Sequence, residues 1–223
     1  QRKAVHASKA DGGAGNPKYN IHSKQFGLAR EGQQMFGMIS LKKELDPEYV
    51  EVEIVDPDDN LDISIGFRNS YDKSMSVGVV GGAEVFICDN MMMTSDAVKI
   101  MKRHTKNVLR EFDYMLYTSI PELQNQFVNL IEAKNKLDRV EIDHEHGYEF
   151  LGRMFGHKLL TPVQMSGAVE DWRNPNFEVF KDRTAWSLYN AATWGLKKGS
   201  PSLAMSRYCN AHDWFMENLD NLQ

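Results

Sequence analysis

The feature that most constrains this chain is a change of hydrophobic period near Asn90. Before it, Val50, Val52 and Ile54 alternate with Glu51 and Glu53, and Ile63, Ile65 and Phe67 alternate with Ser64, Gly66 and Arg68. A period of two is that of half-buried antiparallel strands, whose side chains point to opposite faces in turn. After it, Val98, Met101, Val108, Leu109, Phe112, Met115 and Leu116 recur at helical spacing and share one side. Strands first and helices afterwards predict an α+β fold, because a sheet made of neighbouring hairpins needs no crossover helices between its strands.

Strand character falls on residues 35–41, 50–55, 62–68, 75–80 and 83–88. The polar stretches at 57–60 and 69–74 and the Gly81-Gly82 pair have the chemistry of tight turns, so a meander of four or five strands is expected over about 34–90. Thr94 or Ser95 is suited to cap a long helix packed on that sheet. The capping box from Ser119 to Glu122 signals a second helix, and Asp143, Thr161 with Gln164, Asp182 and Ser200-Pro201 announce further ones, to about residue 220. Residues 1–19 are small, polar and Gly-rich and read as a flexible arm, leaving 20–223 as a single domain.

The 223 residues are 42% hydrophobic and 26% charged, the balance of a soluble globular protein. No stretch approaches the roughly 18 to 20 apolar residues of a membrane helix, and the start carries no signal core. A cytoplasmic protein with no membrane partner is the expectation. Cys88 and Cys209 have no CxxC spacing and read as free buried thiols. With a net charge of −5, any nucleic-acid binding must come from a local patch.

One such patch is legible. If the helix starts near Thr94, then Lys99, Lys102, Arg103, Lys106 and Arg110 fall on one face, nearly opposite the apolar stripe, at about 100° per residue. Five cations on one face beside a sheet could line up with phosphates, and Arg68 and Lys73 would extend the track. A solvated helix back is the plainer account. The cluster from Glu141 to His146 offers His144 and His146 as metal-ligand candidates, but two imidazoles two residues apart in a helix diverge by about 200°. A loop with Asp143 as the helix cap is the simpler assignment. No nucleophile elbow, P-loop, dinucleotide fingerprint or HExxH is present, so the sequence supports neither an enzyme nor a cofactor. The late aromatics, Trp186, Tyr189, Tyr208 and Phe215 among them, recur at helical spacing and read as core.

The run IGFRNSYDKSMSVGVVGGAEVFICDNMMM resembles the phage- and plasmid-encoded family catalogued as domain of unknown function 932. Asn69, Ser70 and Asp72 match its turn, and Cys88 and Asn90 match the end of the following strand. Tyr71, Lys73, Asp89 and Met91 depart from it, standing where the family tends to have His, Gly, Ser and Gly. AWSLYNAATW at 185–194 is a second, weaker match to a late helix of that family. The resemblance implies a mobile-element protein of a bacterial cell rather than an activity. A meander followed by a long basic helix is also similar in outline to Rad52-type single-strand annealing proteins.

The expectation is therefore a non-enzymatic protein that binds nucleic acid, foremost single-stranded DNA, in a groove between sheet and helix, with self-association into an oligomer open. The alternatives are a module that meets a host protein through the acidic residues Glu51, Glu53, Asp56, Asp58 and Asp59, and a metal-dependent enzyme using His144 and His146.

Overall fold

The computed structural model describes residues 19–43, 61–85, 90–94, 99–103, 105, 107–199 and 201–222. The expected strand at 50–55, the turn at 57–60, Cys88, Lys106, the acidic residues from Glu51 to Asp59 and nearly all of the expected arm lie outside them.

The fold is α+β. Four antiparallel strands follow one another as a meander: β1 (Tyr19–Ala29), β2 (Gln34–Lys43), β3 (Leu61–Ser70) and β4 (Val77–Val85). The sequence expectation misses β1, because the polar run Ser23-Lys24-Gln25 separates the alternation of Tyr19 and Ile21 from that of Phe26 and Leu28. Pairing with β2 along ten positions, with a bulge between Ile21 and Ser23, is what makes it a strand.

The Gly81-Gly82 pair is not a turn. β4 runs straight through it, with Gly81 opposite Ile65 and Gly82 opposite Ser64. A Cβ on Gly82 would stand 2.8 Å from the carbonyl oxygen of Met92, so the missing side chain is what lets the next segment lie close against β4. That segment supplies β5 (Asn90–Met92), opposite residues 83–85, and β6 (Lys99–Lys102), opposite residues 77–80. Both short strands use the same edge of β4, one at each end. Every described residue of β4 is buried, and the backbone groups of a buried strand require partners on both sides.

Helix α1 (Val108–Asp138) passes without a break through Ser119 and Pro121, so the two helices expected on either side of 119 are one. It runs along β4 and β6. Then come α2 (His144–Gly156), α3 (Pro162–Arg173), α4 (Ala185–Leu196) and α5 (Pro201–Glu217). Two caps are as the sequence spells them. Asp143 accepts from the backbone of His146 at 2.8 Å, and Thr161 and Gln164 form the reciprocal capping box. The third shifts: the cap of α4 is Thr184, which accepts from the N–H of Ser187, and not Asp182.

Eleven of the twelve residues of α4 are buried, which makes it the central helix of the molecule. Its own Tyr189 packs with Trp172, Phe150 and Phe215 in one continuous core that reaches Leu61, Val80 and Val85 of the sheet. The late aromatics are thus core, with Trp186 stacked on Tyr189, ring centroids 5.6 Å apart. Cys209 is buried and outside any disulfide. Among the described residues no helix is long and apolar enough to cross a membrane.

Candidate nucleic-acid interface

The cations that the sequence expects on one helical face do not share one. Lys99 and Lys102 belong to β6, opposite Val80 and Val77, and Arg103 is exposed just beyond the strand. Arg110 alone lies in α1, exposed in its first turn. The period of about 3.6 residues is present in the sequence, but the open edge of β4 claims residues 99–102 for the sheet and delays the helix to Val108. Lys102 Nζ stands 3.8 Å from Glu111 of α1, tying strand to helix. Arg68 donates to Ser76 Oγ at 3.3 Å.

What the fold does bring together is the end of the sheet where two hairpin turns lie side by side. Residues 30–33 join β1 to β2, with Arg30, Glu31 and Gly32 all in the left-handed region (φ 49°, 56° and 85°). Residues 71–76 join β3 to β4, with Lys73 at φ 59°. The backbone N–H of Tyr71 donates to Gln33 O at 2.7 Å, and Gln34 Nε2 donates to Ser74 Oγ at 2.8 Å, so each turn braces the other.

Within the second turn the polar side chains satisfy the backbone. Ser70 Oγ accepts from the N–H of Met75 and donates to its carbonyl, both at 3.0 Å. Asp72 accepts from the hydroxyl of Ser74 at 2.6 Å and from its N–H at 3.0 Å. Those two bonds hold the Asp72 carboxyl below its ordinary range.

Between the turns and the start of α1 opens a cleft of about 310 Å³, lined by Gly32, Gln33, Met35, Asn69, Ser70, Tyr71, Lys73, Val77 and Val108. Tyr71 is 91% exposed at its lip. Asn69 Oδ1 is buried in the wall with no hydrogen-bond partner. Val108 is the first residue of α1, and the N-cap Asn107 makes no side-chain capping bond, so the positive end of a 31-residue helix abuts the cleft.

The cleft continues onto one face of the sheet. Leu28, Met35 and Asn69 stand in one cross-strand row, and Phe26, Gly37 and Phe67 in the next. Phe26 and Leu28 are 63% and 71% exposed. Sequence reasoning missed Phe26, Leu28 and Arg30, whose only signal is the short alternation at the end of β1.

Other expected site residues lie elsewhere. Asn90 is far from the turn that holds Asn69, Ser70 and Asp72, because it pairs with Val85 at the opposite end of β4. Fully buried, it donates to the backbone carbonyl and to Oδ1 of Asn190, each at 3.1 Å. His144 and His146 diverge: His144 packs on Tyr148 and Trp172, while His146 Nδ1 lies 2.5 Å from Asp143. The bond from the His146 backbone, aided by that ring, keeps the Asp143 carboxyl below its usual range. Among the described residues no three His, Cys, Asp or Glu side chains are grouped to hold a metal ion.

No family model, no curated protein and no solved structure matches the chain.

Proposed function

We propose that the protein binds single-stranded nucleic acid, DNA foremost, across the braced turns and the start of α1, as a protein of a phage or plasmid would in annealing or protecting a strand. The observation that carries this reading is the cleft between sheet and helix, rimmed by Lys73 and the exposed ring of Tyr71. Arg30, Arg103 and Arg110 are exposed, Arg30 in the first turn, Arg103 next to Lys102 of β6 and Arg110 two residues beyond Val108. Glu31, Asp72 and Glu111 stand among these cations, but Glu111 is turned to Lys102 and Asp72 to Ser74. In a chain of net charge −5, this corner is where cations gather beside an aromatic side chain and an uncapped helix start, the groups that hold phosphates and stack bases.

The test is fluorescence anisotropy of labelled single- and double-stranded oligonucleotides over a salt series. Tighter binding of the single strand is expected, with log affinity falling against log salt by about 0.7 for each phosphate neutralised. The triple variant Lys73→Glu, Arg103→Glu, Arg110→Glu should lose binding and keep its circular dichroism spectrum. Unchanged affinity in that variant would sink the proposal.

A further inference from the structure

We infer that the face of β1, β2 and β3 that carries Phe26 and Phe67 is a stacking platform for nucleobases; this rests on the nucleic-acid reading above and names what lies beside the phosphate track. The two rings stand 5.7 Å apart at 59°. Phe67 reaches Phe26 by lying across β2 at Gly37, where any Cβ would overlap its ring. The glycine leaves room for the Phe67 ring against the strand, where Phe67 is half-buried. Phe26 is 63% exposed although it belongs to the interior of a paired strand and not to a loop.

The occupant follows from continuity with the cleft. The next cross-strand row, Leu28 with Met35 and Asn69, runs directly into the cleft, where Arg30 and Lys73 stand exposed. From Phe26 to Arg30 is about 13 Å along an extended strand. Glu31 and Asp72 stand beside these two cations and Arg30 acts on Asp72, so the charge there is mixed. On the nucleic-acid reading the ligand offers flat apolar groups beside anionic ones at close intervals, as a single strand does, whereas a duplex keeps its base faces stacked inside. Base stacking on aromatic rings tolerates any sequence, so the platform confers preference for single strands without base specificity.

The experiment compares the full chain with Phe26→Ala and with Gly37→Val, which lifts Phe67 off the strand. The probes are labelled oligothymidine of about 15 nucleotides, within the usual site size, and the same backbone carrying abasic residues. The native chain should bind the abasic strand roughly tenfold more weakly than oligothymidine. Both variants should lose a similar factor on oligothymidine, be indifferent to removal of the bases, and keep the native salt slope. If the native chain binds both probes equally, or if Phe26→Ala leaves the difference intact, the platform is wrong while the phosphate track stands. If native protein sediments as a dimer that Phe26→Ala dissociates with oligothymidine affinity unchanged, the face seats a second copy and the platform falls. Absence of any binding by the native chain at low salt removes the underlying reading and the platform together.

Discussion

His212 shows what burial does to a single ionisable group. It sits in α5 with its ring edge toward Tyr189, centroids 6.0 Å apart, and its Nδ1 has no hydrogen-bond partner. Burial pushes its pKa from 6.5 down to about 4, against the weaker pull of neighbouring Asp213. The unfolded chain therefore binds a proton between those values that the folded chain refuses, and stability rises with pH through that window. Urea unfolding should show stability falling by about 3 kcal/mol from this group as pH drops from about 6.5 to about 4. In His212→Gln the slope should flatten; an equal slope in the variant would place the acid sensitivity elsewhere. At this scale the sequence was most readable where chemistry is local. Asp143 and the Thr161–Gln164 pair cap their helices because a cap needs only residues three positions away. His212 shares the helical spacing of Met205, Tyr208 and Phe215 and reads as core, but its partner, Tyr189 of another helix, was not readable.

Among the elements, β4 decides most. A glycine pair between two apolar runs has the local chemistry of a turn, and only the neighbours β3 and β5 make it a strand interior. The same competition explains β6: residues 99–102 fit a helical period, yet the edge bonds they supply to β4 outweigh it. Long-range pairing of this kind leaves no periodic trace. Gly82→Val tests the argument, because its side chain would meet the Met92 carbonyl and displace β5 from the edge. A loss of about 1–3 kcal/mol or more is expected from such overpacking, read from denaturant midpoints. The hairpin expectation would instead tolerate a side chain there with little change. Helix α1 shows the opposite error, since a capping box at Ser119 reads as a start only when no helix is already running through it.

For the whole molecule, the order of strands before helices was enough to give the α+β class, as the period change near Asn90 implied. Of the candidate interface, a groove between sheet and helix and the turn with Asn69, Ser70 and Lys73 were legible, but not the corner where they meet. Its groups come from β1, the two turns, the end of β6 and the start of α1, and only folding sets them at one corner. Arg103 and Arg110 are expected on a helical face that does not form, and Lys73 as an extension of its track. Ligand linkage gives a readout of the assembled corner. At a free oligonucleotide concentration about 100 times the dissociation constant, the folded state gains about 2.7 kcal/mol. In a chain of this length that raises Tm by about 5–10 °C. A thermal melt with oligothymidine should show the rise in the native chain and none in the triple charge-reversed variant; equal rises in both would put binding at a different surface.

The bond from Asn90 to Asn190 ties residues a hundred positions apart, and it lies fully inside the protein. During synthesis the meander emerges from the ribosome well before α4 and α5 exist to cover it. Until they arrive, β5 has no carbonyl for the Asn90 amide, and the side of the sheet that will meet Met205 of α5 is open to water and to other nascent chains. The first half of this chain is therefore a poor candidate for excision as a minimal fragment. Early termination would yield a sticky sheet, guarded only by whatever chaperone reaches it first.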